Sequence, residues 1–273
     1  MWKRIKPNRN NVRIYQAVLV VLLLAVWYFG TNPNIPAIYF DSPDKAPFFF
    51  GEPVKVAQRL WDWFYGGEIY AHLWVTLEET MLAFAIGTVS GLAVGLWLGL
   101  APTWAEILDP FIKGANAMPR VILAPIFMVW FGLGVGSKVA LGVTLVFFIV
   151  FFNVYQGVRE VSPVVLANAR MLGASQKQLL RSVYLPSAMS WVFASLHNAV
   201  GLAFVGAVVG EYLGSASGVG YLIHQAEGVF DINTVFAGIV LLTIFAIVLD
   251  WIVGIIEKRL MVWQPRAGET ERM

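Results

Sequence analysis

A small set of polar and ionisable side chains lies inside or at the edges of long apolar stretches of this sequence. Charge in hydrocarbon is expensive unless it is paired or wetted, so each such residue is a functional candidate. Glu78 and Glu79 stand at the outer end of the second apolar window. Asn153 and Gln156 stand near the inner end of the fourth. His197 and Asn198 follow Pro186 by about 11 and 12 residues, which puts them roughly 16–18 Å into the fifth. Such groups either line a path for a polar solute or hydrogen-bond one helix to the next. Glu211 reads equally as part of an external gate or as a residue facing water, and Asp250 as a partner inside a bundle. Catalytic chemistry finds no such footing. Gly134-Val135-Gly136-Ser137-Lys138 lacks the G-x-x-x-x-G-K-[ST] spacing of a phosphate-binding loop. His72, His197 and His224 are scattered without metal-ligand spacing. The absence of cysteine removes thiolate zinc sites, iron–sulfur clusters and disulfides. No nucleophile, base or metal cluster suggests an enzyme, so no catalytic residue, metal or cofactor is expected.

The elements that hold these residues are set by composition. Of 273 residues, 58% are hydrophobic and 13% charged, against about 45–50% and about 25% in a soluble domain. A net charge of +2 gives no argument for nucleic acid. A membrane helix needs about 20 apolar residues. The qualifying windows are Ile14 to Gly30, Met81 to Ala105, Val121 to Ser137, Val139 to Val158, Ser182 to Gly210, and Ile232 to Leu249 running on past Asp250 towards Ile256. In the third, Pro119 and Pro125 should kink or break the helix. The windows are longer than barrel strands and apolar on all faces, so they are helices. In the second, Ala83, Gly87, Gly91, Gly95 and Gly99 recur every four residues, a spacing that favours close helix packing. The first window follows a basic stretch, but Gly30-Thr31-Asn32-Pro33 is a poor cleavage site, so a retained helix is expected.

Lys and Arg placement orients the windows. Residues 1–13 carry Lys3, Arg4, Lys6, Arg9 and Arg13 and no acid. Residues 31–70 carry Asp41, Asp44, Glu52, Asp62 and Glu68 against Lys45, Lys55 and Arg59. Arg159, Arg170, Lys177 and Arg181 mark the segment after the fourth window. Glu211, Glu227 and Asp231 follow the fifth, and Lys258, Arg259, Arg266 and Arg272 the sixth. An all-α integral membrane protein of six crossings with both termini inside satisfies every loop. Its parts are a cytoplasmic N-terminus (1–13), a first helix (14–30), an external loop (31–70), a core (71–263) and a cytoplasmic tail (264–273). Trp61, Trp63, Phe64, Tyr65 and Tyr70 flank the second helix and read as an interfacial aromatic belt, with a substrate-contacting lip as the other reading.

The cytoplasmic segment 159–186 is built unlike a simple connector. Ser162-Pro163 is a helix start, Val164 to Leu172 a short helix, and Gly173 its stop. Ser175 with Gln178 resembles a capping box for a second short helix, which Leu185-Pro186 should end while beginning the fifth membrane helix. Alone, such a pair is poorly stable. It serves either as a membrane-surface element or as a dock for a partner.

Ala167-Asn168-Ala169-Arg170-Met171-Leu172-Gly173, nine further residues and Val183-Tyr184-Leu185-Pro186 resemble the "EAA" loop of binding-protein-dependent ABC importer permeases. Ala167 stands where that family has Glu, and Asn168 where it has Ala. Pro119-Arg120, Pro125 to Gly134, Ser137-Lys138, Gly210-Glu211, Ser217 to Ile223 and Asp250 with Glu257 to Trp263 are similar to the nitrate/sulfonate/taurine-type branch. The resemblance covers about His72 to Trp263. It implies a type I, MetI-like permease core paired with a second permease subunit, most simply its own copy. A pair of ABC ATPase subunits would bind and hydrolyse ATP, and an external solute-binding protein would deliver the solute. Ala167, Asn168, Ala169, Arg170, Gly173, Ala174, Ser175, Leu185 and Pro186 would then form the ATPase dock, transmitting rigid-body movement to the flanking helices. Thr76-Leu77-Glu78-Glu79 resembles the helix entry of pyrimidine or thiamine-precursor systems, so sulfonate or nitrate and pyrimidine solutes both stay open. The alternative function is a secondary transporter driven by an ion gradient. That function calls for an internal repeat with paired broken helices, and the sequence shows no convincing one.

Overall fold

The structure, a computed structural model, describes residues 9–32 and 45–260, and these are helical almost throughout. Lys3, Arg4, Lys6, Asp41, Asp44, Trp263, Arg266 and Arg272 lie outside the described residues. The helices are α1 (Arg9–Thr31), α2 (Lys45–Phe50), α3 (Pro53–Gly66), α4 (Glu68–Leu100) and α5 (Pro102–Ala117). A 3-10 turn, Arg120–Leu123, leads to α6 (Ala124–Phe131). Then come α7 (Val135–Arg159), α8 (Pro163–Met171), α9 (Gln176–Leu179), a π turn (Leu180–Tyr184), α10 (Leu185–Leu213), α11 (Val219–Gly228) and α12 (Ile232–Leu260). Pro53, Pro102 and Pro163 open α3, α5 and α8, where a missing N–H leaves no bond unmade.

Among the described residues, five helices are long and apolar enough to cross a membrane, or six if α5 and the Arg120–Phe131 segment count as one crossing. Those two pieces meet at an 85° bend. The third apolar window therefore differs from its expected limits of Val121 to Ser137. The break lies at Met118-Pro119, Pro125 is tolerated in the first turn of α6, and Gly132, at φ 75°, ends that helix. Ser137 belongs to α7. The second helix begins at Glu68 rather than Met81, so Glu78 and Glu79 lie three turns inside it. Leu185-Pro186 begins α10, with the proline in its first turn, but it does not end the short helix: α9 stops at Leu179 and passes through the π turn directly into α10. There the Leu185 N–H reaches back five residues to the Leu180 carbonyl, a widening that accommodates a proline without an N–H at the next position.

The described chain divides into two compact units, residues 1–69 with 222–241 and residues 70–221 with 242–273. In the first, Trp27 of α1 donates to the Phe50 carbonyl (3.0 Å) and packs on Phe236. Asn233 accepts from the Glu52 N–H at 2.8 Å. Asp231 caps α12, accepting from the Thr234 N–H, and Arg59 of α3 reaches it at 3.0 Å. Burial works to raise the Asp231 carboxyl, but hydrogen bonds from Thr234 and then Arg59 more than offset it and hold it below the usual carboxylate range.

The second unit is organised by small residues. Ala83, Gly87, Gly91, Gly95 and Gly99 of α4 face Gly142, Val146, Val150, Val154 and Val158 of α7. Each pairs with the residue 59 positions later, so the two helices run parallel in fixed register. A Cβ added at Gly87 would stand 2.6 Å from the Val146 Cβ, and one at Gly95 2.8 Å from that of Val154. The backbones are thus at the closest approach that the valines allow. α7 also meets α10 antiparallel, with Gly206 against Gly142, Gly210 against Lys138 and Gly157 against Trp191. Ser187 also donates to the Gly157 carbonyl at 3.0 Å. Ala83, Val146, Val150, Val154, Val158, Ala188, Val192, Ala199 and Ala203 form the buried core of these three helices.

Gly95→Leu should lower stability by about 1–3 kcal/mol or more through overpacking, read as a lower midpoint in thermal unfolding of the detergent-purified protein. Gly114 in α5 has open space around its Cβ position, so Gly114→Ala should be neutral or stabilise by about 0.5–1 kcal/mol.

Candidate functional site

Two places gather the polar residues of the second unit. The first is a buried cluster where α4, α7 and α10 meet the start of α11. Glu79 is 1% exposed, and Lys138, Glu211 and Thr76 are fully buried. The Thr76 hydroxyl donates to Glu211 Oε1 at 2.6 Å. The Gly220 N–H donates to Glu211 Oε2 at 2.7 Å, and the Val219 N–H to Thr76 Oγ1 at 3.1 Å. Glu211 thereby supplies an acceptor to the first turn of α11, whose N–H groups have no partner within the helix. His72, one turn before Thr76, accepts from the Gly218 N–H at 3.1 Å.

Glycine is required in this loop. Gly218 has φ 101°, and a Cβ there would stand 2.1 Å from the Glu211 carboxyl carbon. Gly220 admits the Val208 carbonyl, which would be 2.6 Å from an added Cβ. Lys138 donates to the carbonyls of Leu133 and Gly134 just beyond α6. Its charge is within electrostatic reach of both Glu79 and Glu211. One Glu79 oxygen, Oε2, has no hydrogen-bond partner among the described residues. The cluster holds two carboxyls against one ammonium, without a nucleophile. It can tie three membrane helices and two connectors together at one end.

The second place is the α8–α9 connector. Leu172 N–H bonds to the Asn168 carbonyl, Gly173 N–H to that of Arg170 and Ala174 N–H to that of Ala169. This is a Schellman stop with Gly173 at φ 80°. Ser175 and Gln178 form a reciprocal capping box at 2.7 and 3.4 Å. The C-terminal end of α8 is thus fixed locally, while Ser162 at its start makes no side-chain capping bond, and α8 buries none of its residues. Ala167, Asn168, Arg170, Gly173 and Ser175 are exposed, as is Pro186, while Ala169, Ala174 and Leu185 are half-buried. Met171 and Leu172 are 79% and 88% exposed.

The remaining candidates separate. Glu78 is exposed, one position and about 100° of helix away from buried Glu79. Asn153 donates to the Ile149 carbonyl of its own helix at 2.7 Å. His197 Nδ1 lies 3.1 Å from Asp250, and Asn198 is exposed. Glu211 does not face water, because the α11 turn folds over it. Sequence reasoning missed Lys138 and Thr76 as members of this cluster. The apolar windows showed charge within each helix but not which charges converge. The signal available was Gly218-Val219-Gly220, a turn needing close backbone approach soon after an acid.

Residues 87–262 match a family described as binding-protein-dependent transport system inner membrane component. The chain is 31% identical over 263 residues to a Bacillus subtilis (strain 168) protein named as an aliphatic sulfonates transport permease, covering 96% of this chain and 92% of that one. It is 29% identical over 262 residues to the taurine transport system permease protein of Escherichia coli (strain K12), covering 94% and 92%. It is 30% identical over 263 residues to the formylaminopyrimidine transport permease protein of Halalkalibacterium halodurans, covering 93% and 99%. Among solved structures, a chain of an inward-facing methionine ABC transporter aligns with TM-score 0.59 at 18% identity, covering 70% of this chain and 94% of that one. That likeness shows a shared fold.

Removing the one cation from the buried cluster leaves two carboxyls uncompensated. Lys138→Met should therefore cost about 3–5 kcal/mol, seen as a lowered thermal midpoint or loss of membrane-inserted protein. Adding Glu211→Gln to it should recover part of that loss.

Proposed function

Because the chain belongs to the binding-protein-dependent transport system inner membrane component family, we propose that two copies of it line one membrane path, with α8 of each seated on a cytoplasmic ATPase. The chain itself is a multi-pass permease subunit of an ABC importer in the inner membrane. Its family is one of transport permeases rather than catalysts, and ATP is bound and hydrolysed on the separate ATPase pair. A solute-binding protein on the external side delivers the solute.

The observation that carries the docking reading is α8. Its C-terminal end is fixed by a Schellman stop, with the capping box of α9 beyond it, but no residue of it is buried. A nine-residue helix is too short to be stable in water by itself. Exposed Val164, Val165, Met171 and Leu172 offer an apolar face to a partner, with Arg170 beside them. Ala167 in place of the family's Glu means that the contact rests on shape and apolar area more than on an ion pair. The basic residues Arg159, Arg170, Lys177 and Arg181 support a cytoplasmic position for this segment.

The path itself is supported less by the buried cluster than by what that cluster restrains. Glu79, three turns into α4, Lys138 at the start of α7 and Glu211 near the end of α10 hold these helices together on the side opposite the dock. Glu78, Asn153, His197 and Asn198 stay candidates for the path. The relatives are named for aliphatic sulfonates, taurine and formylaminopyrimidine, so the solute class proposed is small and polar.

Purifying the tagged protein from its own membranes should bring down an ATPase. Gly173→Pro cannot adopt φ 80° and lacks the N–H that bonds Arg170. It should leave the protein inserted but reduce the recovered ATPase at least about tenfold, equivalent to about 1.4 kcal/mol. Equal recovery of the ATPase with the variant, or solute uptake that persists without ATP, would sink the docking reading.

A further inference from the structure

Arg120 opens the 3-10 turn inside the 85° break between α5 and α6. Its guanidinium carbon sits 4.7 Å from the centre of the Phe148 ring. That contact fixes its depth. Phe148 lies near the middle of α7, about 20 Å from one end and about 17 Å from the other at 1.5 Å per residue. The hydrocarbon core is about 30 Å thick, so Arg120 stands near the midplane. Lipid headgroups are out of its reach.

Its partners do not neutralise it. Nη2 donates to the Asn116 carbonyl at 3.1 Å and to Asn116 Oδ1 at 2.5 Å. Both are neutral acceptors on the preceding helix. Among the described residues no carboxylate pairs with Arg120, and its buried Nε has no hydrogen-bond partner. The guanidinium has five N–H donors in a planar fork that suits the paired oxygens of an oxyanion. Asn116 and Phe148 hold the fork in place and leave much of that donor set unused. A non-helical break at this depth is tolerated only where it is buried in protein or lines a water-filled cavity. The arginine is half-buried, and Met118, Val121 and Ile122 around it are exposed, so the break stands at a surface of this chain.

We propose that Arg120 coordinates the acidic head of the transported solute at the membrane midplane, and that the solute is an oxyanion of the sulfonate or carboxylate class. This rests on the permease reading above. It narrows that reading: a neutral pyrimidine offers no charge for a guanidinium to meet, whereas a sulfonate compensates the one that the fold leaves open. Phe148 holds the flat face of the fork by a cation–π contact and leaves the donor edges for the anion.

The test uses the complete importer, with its ATPase and solute-binding protein, in proteoliposomes. The probes are radiolabelled ethanesulfonate, taurine and 4-amino-5-hydroxymethyl-2-methylpyrimidine, the last as the neutral control. Wild type should take up a sulfonate in an ATP-dependent way. Arg120→Gln should lower the maximal rate by about 100-fold and Arg120→Lys by about tenfold, since lysine keeps the charge but not the bidentate fork. The half-saturating concentration should stay within about twofold, because the external protein captures the solute first. Sulfonate uptake by Arg120→Gln at the wild-type rate overturns the proposal. So does a wild type that carries only the neutral probe, which leaves the permease reading intact. If Arg120→Gln no longer assembles with the second permease subunit, the arginine pairs with protein and the proposal fails. Should that variant not reach the membrane, the Arg120→Lys rate decides alone. ATP-dependent uptake of no probe by wild type also overturns the proposal, while the permease reading is decided separately by recovery of the ATPase.

Discussion

The contact between α4 and α7 is the constraint on which the rest of the second unit depends. Lipid tails are as apolar as leucine, so hydrophobic burial does not pull membrane helices together. What remains is dispersion at close range and hydrogen bonding, and both need backbones that approach. The glycines of α4 supply that approach, and the valines of α7 fill it. Valine is well suited, since its β-branching leaves essentially one rotamer in a helix and little freedom is lost on packing. With α4 fixed against it, α7 also takes α10 through Gly142, Gly157, Gly206 and Gly210. A three-helix cluster results, closed by the direct bond from Thr76 of α4 to Glu211 of α10.

The charged cluster is possible only because this packing is close. Lys138 passes alongside Gly210, whose missing Cβ makes room for the lysine stem. Glu211 follows that glycine directly and reaches Thr76 on α4 and Gly220 on α11. Any larger residue at position 210 would part α7 from α10 and let the cluster open. Small residues thus serve two purposes on the same helices: they bring apolar surfaces together along most of the length, and they bring opposite charges together at one end. Arg120 stands apart from that cluster, in the break of the one crossing that is not continuous.

How much of this was legible depended on range in the sequence. Features fixed by residues three to five apart were readable. The Gly173 stop, the Ser175–Gln178 box and the four-residue glycine spacing of α4 each follow from local stereochemistry. The partners of those glycines, 59 positions away, were not, because period alone does not say which valine stripe a glycine stripe meets. Glu211 shows the same limit. Its side chain sits at a helix end, where water and protein are equally plausible surroundings, and only the fold of Gly218–Gly220 over it decides for protein. Proline explains the error in the third window. Pro119 and Pro125 announced a break, but Pro125 is harmless at a helix start, and the tilt of α6 at the break depends on what α7 presents. Arg120 was therefore read as the edge of a window rather than as a residue at depth.

The constant offset between α4 and α7 has a consequence for how such a chain tolerates insertions and deletions. One residue added within either stripe would rotate everything beyond it by about 100°, turning valines where glycines should meet them. The whole seam beyond that point would fail. Residues added between the stripes, in Ala101, Gly114 to Pro119 or Gly132 to Gly134, change the number 59 without changing the match. The stretch from 101 to 134 is thus the natural reservoir of length variation in this unit, and the two stripes are where none should be found.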